Sequence, residues 1–278
     1  MRFVWQFLAV FAVFAAGGTA VGAVQENPWL TCVLGLAVAA AAVTVYGWAV
    51  RRTEKRQPTE IALEGSGAAA AWGTLVGAGL FGMIVLSIAL LGGYHVHGFG
   101  SASGAVGLFG FMAAAAVTEE LLFRGVLLRI LQERVGSWTA LALTSILFGA
   151  MHLANPNASL WGAIVIALTG GAMLGAAYIA TRRLWLPIGI HFGWNFAASA
   201  VFSTEVSGNG TPQGVLDAST SGSVLLSGGD FGPEASLCTL GFGLLTTAVL
   251  MRIARGRGHL APLGSREPQA PADATLSQ

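Results

Sequence analysis

Apolar runs of bilayer-crossing length alternate along this chain with short polar breaks. A helix of ~20 residues crosses ~30 Å of hydrocarbon, and runs of that kind lie at roughly 3–24, 29–50, 70–92, 105–131, 138–154, 159–180, 184–203 and 235–254. The pattern predicts an all-α fold, a polytopic transmembrane bundle of about eight helices within residues 1–254. The first run ends in small residues, as a cleaved signal peptide does, but its apolar stretch is long for one, and a retained helix is expected. Tight turns at Arg134–Ser137 and Thr181–Leu184 should fold spans four and five, and spans six and seven, into antiparallel hairpins. Among the breaks, 51–64 reads as a charged connector and Thr204–Glu234, rich in Gly, Ser and Thr, as a flexible outer loop. Residues 255–278, with Pro262, Pro268 and Pro271, read as a disordered cytoplasmic tail.

Charge then orients the bundle. Only 10% of residues are charged, against ~25% in an average soluble domain. Thirteen of the fourteen Lys and Arg fall on one side: Arg2, the 51–56 cluster, Arg129 and Arg134, Arg182 and Arg183, and the stretch after span eight; Arg124 alone is left at membrane depth. The loops Gln25–Pro28, Gly93–Gly100, Asn155–Ala158 and Ser203–Glu234 contain none. The positive-inside rule therefore places both termini in the cytoplasm, with the cell membrane as the expected location and membrane lipids as the surroundings. A net charge of +1 gives no field for nucleic acid, and no such partner is expected. Cys32 and Cys238 lack metal-ligand spacing and are not expected to pair, and His95 and His97 read as a solvated loop pair.

One stretch breaks this economy of charge. Glu119, Glu120 and Arg124 lie inside span four, where an ionisable residue costs ~2.5 kcal/mol or more and usually marks function. Glu120 and Arg124 stand at i and i+4, acid first, the favourable order for a helical ion pair. Glu119 is turned ~100° away from Glu120 and is left as the group free to act as general base. Counted from the turn between Val135 and Gly136, Glu119 and His152 both lie ~25 Å along their helices, at one depth. His191 and Asn195 project from one face of span seven, ~13 and ~19 Å from their own turn. Each of these polar residues alone also fits interhelical packing or hydrogen bonding. Together they predict one intramembrane polar cavity. Gly104, Gly107, Gly110, Gly170, Gly171 and Gly175 mark close helix packing and no chemistry.

In that order and on separate helices, Glu119-Glu120-x-x-x-Arg124, Phe148-x-x-x-His152 and His191-x-x-x-Asn195 resemble the signature motifs of the CPBP family. These are the CAAX-protease-like and bacteriocin-processing intramembrane endopeptidases, also called Abi, and the resemblance covers roughly 117–196. It implies a catalytic core at about 105–203 that cleaves a peptide or protein substrate. Glu119 and His152 would activate water, His191 and Asn195 would stabilise the oxyanion, and Glu120, Arg124 and Phe148 would support the site. A glutamic-type reaction without cofactor is favoured. A zinc enzyme is the alternative on the same residues, with Glu119, His152 and His191 as a His₂Glu set, although no His-Glu-x-x-His sequence occurs. A non-catalytic scaffold or immunity protein and a proton-coupled transporter are the remaining alternatives, the last without clear inverted repeats. A prenylated carboxyl terminus, a leader peptide and another membrane protein are equally admissible substrates.

Overall fold

The computed structural model describes residues 2–210 and 214–263. Its helices are α1 (Arg2–Gly22), α2 (Pro28–Glu54), α3 (Ser66–Leu90), α4 (Ala102–Glu120), α5 (Arg129–Met151), α6 (Leu160–Ile166), α7 (Ala172–Thr181), α8 (Trp185–Phe196), α9 (Val224–Ser227) and α10 (Leu237–Gly256). Side-chain oxygens of Asn27, Ser101, Ser159 and Ser236 cap the amino ends of α2, α4, α6 and α10, satisfying amides that no helical carbonyl can reach. Three π-helical segments interrupt the regular helices. Leu121–Leu128 joins α4 to α5, Ala167–Gly171 joins α6 to α7, and Ala197–Val201 extends α8.

Among the described residues, six helical stretches are long and apolar enough to cross a membrane, and the chain is an all-α, multi-pass membrane protein. One of the six, Ala102–Ala154, is a folded-back pair. Gly136 takes φ 73° and ψ 170° and divides α5 in two, and the rings of Phe123 and Phe148, from either side of that turn, meet edge to face at 5.0 Å. The second turn closes on Arg182 in the left-handed region at φ 56°. Span four, at roughly 105–131, exceeds the ~20 residues that cross a bilayer, and a break upstream of Thr118 is one way to take up the excess. Instead α4 runs unbroken to Glu120, and the irregularity is the π segment after it.

Helices approach closely where glycines remove side-chain bulk. Gly35 of α2 faces Gly110 of α4, Gly73 of α3 faces Gly189 of α8, Gly77 faces the backbone of Ile190 and Trp194, and Gly193 faces the backbone of Thr74. The second crossing fixes the helix that carries His191 and Asn195.

The two faces differ from the expected solvated loops. On the arginine-bearing face, the connector after α2 is tied into the bundle. Tyr46 donates to Glu60 at 2.6 Å, Arg56 grips Glu60 through both terminal nitrogens at 2.8 Å, and Arg129 reaches Glu54 at 2.8 Å and Gln6 at 2.8 Å. Arg2 pairs with Glu133. Burial opposes ionisation of Glu60, but the Arg56 hydrogen bonds and the charges of Arg129 and Arg56 outweigh it and hold the carboxyl below its usual range. The first part of the expected tail packs on this face, His259 accepting from Arg182 at 2.6 Å through its carbonyl and Arg257 donating to the Ala180 carbonyl at 3.0 Å. Residues 264–278 lie outside the described residues.

On the opposite face, the described part of the expected flexible loop contains a strand, residues 211–213 lying outside the described residues. β1 (Tyr94–Phe99) and β2 (Leu216–Thr220) pair antiparallel, Tyr94 opposite Thr220 and Phe99 opposite Leu216. His95 and His97 are exposed, in line with the expected solvated pair, and bond to Ser221 at 3.0 Å and Ser219 at 2.8 Å. Gly-rich composition hid this pairing because it depends on a partner strand more than a hundred residues away.

Candidate active site

Span four carries the charges because their partners surround them. Glu120 is fully buried, and its Oε1 accepts from Arg124 Nη1 at 2.7 Å and from His191 Nδ1 at 2.9 Å. Arg124 spends its other terminal nitrogen on the carbonyls of Gly170 and Gly171, at 2.8 and 3.0 Å. Those two carbonyls belong to the π segment between α6 and α7, where the widened helix changes the usual backbone pairing. The guanidinium also lies 4.6 Å over the ring of Phe148, a cation–π contact in a desolvated setting. Phe148 in turn packs against the rings of His152 at 4.9 Å and His191 at 6.1 Å.

Glu119 is held differently. Its side chain turns away from Glu120 and lines a cavity of about 560 Å³, together with Phe148, His152, His191 and Asn195. Glu120 and Arg124 are not among the residues lining that cavity. The Oε2 atom of Glu119 is buried and accepts no hydrogen bond among the described residues, while His191 Nε2 stands 3.9 Å from it. His191 is thus suspended between two carboxylates, bonded to one and facing the other across a gap.

His152 opens a short 3₁₀ turn at the end of α5. Its Nδ1 is 2.7 Å from the carbonyl oxygen of Phe148. A carbonyl only accepts, so Nδ1 carries a proton and Nε2 is the acceptor of the neutral ring. No hydrogen bond or ion pair joins Glu119 to His152 directly. Matched depth brought both to one cavity, but the pull of the Phe148 carbonyl sets the ring's rotation, and the imidazole within ion-pair range of Glu119 is that of His191.

The zinc alternative needs Glu119, His152 and His191 to gather as ligands. Among the described residues no group of three or more His, Cys, Asp and Glu is close enough to hold a metal ion. Each imidazole is oriented through Nδ1, by the Phe148 carbonyl and by Glu120, which leaves Nε2 toward the cavity. As they stand, Glu119, His152 and His191 are not gathered as a His₂Glu set.

Sequence reasoning missed Glu234. This residue is 2% exposed, lines the cavity, and accepts from Trp194 Nε1 and from Ser207 Oγ, each at 2.7 Å. Trp194 immediately precedes Asn195 on α8, so Glu234 braces the helix that bears both candidate oxyanion residues. Its one sequence signal was position, a carboxylate between Pro233 and the Ser236 cap of an apolar helix.

Residues 101–197 match the family described as Rce1-like, type II CAAX prenyl endopeptidase. No curated protein and no solved structure matches the chain.

Proposed function

From the type II CAAX prenyl endopeptidase-like domain that it carries at residues 101–197, we propose that the protein hydrolyses peptide bonds within the membrane by a glutamic-type reaction. Glu119 takes a proton from water as the water oxygen attacks the scissile carbonyl carbon. His152, with Nε2 as acceptor, orients that water by holding its other hydrogen, while the proton that leaves goes to Glu119. The developing oxyanion is met by Asn195 and by His191 Nε2–H in the doubly protonated ring. When the tetrahedral intermediate collapses, the C–N bond breaks and the proton held by Glu119 goes to the leaving amine. Glu120 and Arg124 keep His191 in place.

The observation that carries this reading is Glu119 on the cavity wall, with Oε2 unsatisfied and 3.9 Å from His191 Nε2; Glu120 Oε2 also lacks a donor, but Glu120 does not line the cavity. A buried carboxylate oxygen with no protein donor is costly to maintain unless water or substrate meets it. The reaction takes no metal. The protein resides in the cell membrane with both termini cytoplasmic, and its partners are lipid and a polypeptide substrate.

The deciding experiment compares terminal peptides of membrane and secreted proteins in cells carrying wild type or Glu119→Gln. Products are expected to vanish with Glu119→Gln, His152→Ala and His191→Ala, and to diminish with Asn195→Ala, while each variant accumulates in the membrane. Unchanged products in Glu119→Gln and His152→Ala cells refute the catalytic assignment.

A further inference from the structure

The cavity lies toward one end of the long helices. α1 contributes no lining residue before Phe11, α2 none after Val38, and α4 none after Glu119. On the helix rising from the Gly136 turn, the lining begins only at Phe148. These limits all point away from the face that carries Arg2, Glu54 and Arg129. At the other end, Gln25, Asn155 and Asn209 complete the wall, and all three belong to connections without a single Lys or Arg.

Below Glu119 the way to the arginine-bearing face is closed. Buried Leu121, Leu122, Val126 and Tyr46 fill one core cluster there. Beneath them the network of Glu54, Glu60, Arg56 and Arg129 ties the helix ends together. Among the described residues, the end of the cavity not closed by this packing is the arginine-free one, at Gln25, Asn155 and Asn209.

The lining also has a sign. Among the described residues around the cavity the acids are Glu119 and Glu234, and none is Lys or Arg. A chain-terminal carboxylate would find no Lys or Arg with which to pair, the His191 ring on the wall being committed to Glu120 and to the oxyanion, and would meet the like charge of Glu119 and Glu234, which selects against it.

We propose that the substrate reaches Glu119 from the arginine-free, non-cytoplasmic face, as an internal segment of an exported or membrane-anchored polypeptide and not as a free carboxyl terminus. The assignment of that face follows from the distribution of Lys and Arg, and the proposal rests on the endopeptidase reading above. The peptide enters past Gln25 and Asn155, and its scissile carbonyl settles beside Glu119 and His191.

Two measurements test this on the full chain. In a Cys32→Ser, Cys238→Ser background, Ala115→Cys puts one thiol on the cavity wall, with Met151→Cys as a second probe should the first fail to accumulate. Sealed vesicles of both orientations are treated with a membrane-impermeant thiol reagent, orientation being reported by His97→Cys and Arg52→Cys on opposite faces. Labelling is expected when the arginine-free face is outward and is expected to be lost in the inverted vesicles. Labelling from the arginine-bearing face, or from neither, overturns the proposal. This readout does not depend on catalysis. In the terminal-peptide comparison, cleavage sites lost with Glu119→Gln should map to non-cytoplasmic segments. Cytosolic sites, or release of short carboxyl-terminal peptides, overturn the proposal. Absence of any difference refutes the endopeptidase reading instead, and the vesicle labelling still decides which face is open.

Discussion

Gly77→Ala adds one methyl group where α3 crosses α8, and the geometry there makes its effect calculable. The new Cβ would stand 2.8 Å from the amide nitrogen of Trp194 and closer still to the carbonyl oxygen of Ile190, backbone atoms that flank His191. Neither is a flexible side chain that can swing aside, so the helices must part by about 1 Å to restore ordinary contact. His191 is bonded to Glu120 at 2.9 Å, and a displacement of ~1 Å carries that pair past the limit of a useful hydrogen bond. Overpacking costs ~1–3 kcal/mol, partly offset by the ~1 kcal/mol that Ala gains over Gly in a helix. The net loss of stability is then modest, whereas a 1 Å misplacement at a reacting centre costs about 10²-fold in rate. Cleavage rate in detergent, read beside the melting temperature of the same preparation, separates the two effects. Gly79→Ala is the control on the same helix, since a Cβ there meets nothing, and it should leave the rate unchanged. Full activity in Gly77→Ala, or equal loss in Gly79→Ala, would refute the claim that this crossing sets the position of His191.

Glu60 makes stability depend on pH. Its folded carboxyl titrates below the unfolded one, so its contribution is present above the ordinary carboxylate range and is lost as pH falls through the folded value. The melting temperature in detergent should fall on acidification from about pH 6 to about pH 3, and less so in Glu60→Gln, which starts lower by ~3–5 kcal/mol because a buried ion pair has lost one partner. Glu234→Ala leaves Trp194 Nε1 and Ser207 Oγ without their acceptor, costing ~1–3 kcal/mol and slowing cleavage; Glu234→Gln, which keeps one acceptor for Trp194, should recover part of both. Glu120→Gln should lower the melting temperature more than Glu119→Gln, because only Glu120 accepts from both Arg124 and His191, and the reverse order in a thermal scan would upset the division of roles. Dialysis against a chelator should leave the cleavage rate unchanged, a loss restored by added zinc being the contrary result.

Several of these features were readable from spacing alone. The turns at Gly136 and Arg182 follow from short polar breaks between apolar runs, and an acid four residues before an arginine stands as the 2.7 Å pair of Glu120 and Arg124. The helical period also separates Glu119 from Glu120, so that one lines the cavity and the other does not. What spacing lacks is the rotation of side chains about their own bonds and the partners supplied from distant segments. His152 sits at the expected level, yet its ring answers to the Phe148 carbonyl. Glu60 lies in a connector whose composition reads as solvated, and it is buried because Tyr46 and Arg129 reach it from other helices. Glu234 lies in a Gly/Ser-rich stretch that becomes ordered through β1 and Trp194, contacts that no local pattern announces.

The π segments were equally invisible, since Leu-Leu-Phe-Arg-Gly-Val-Leu-Leu reads as ordinary apolar helix, and they bear on why charge is tolerated here. Each lies next to a polar residue of the site: one begins immediately after Glu120, one supplies the Gly170 and Gly171 carbonyls to Arg124, and one starts two residues after Asn195. A regular helix commits almost every backbone carbonyl to its own ladder and has none to spare for a guanidinium at bilayer depth. Local widening provides those acceptors, and Arg124, fully satisfied, can then compensate Glu120, which in turn holds His191. The chain of compensation stops there. Glu119 is the acid it does not reach: each of the two carboxylates keeps one buried oxygen without a donor, but Glu120 is held through its other oxygen, while Glu119 is the one that lines the cavity. Stability and reactivity are thereby assigned to adjacent residues of one helix, and a change in the π segments should disturb the first group before it alters the chemistry of Glu119.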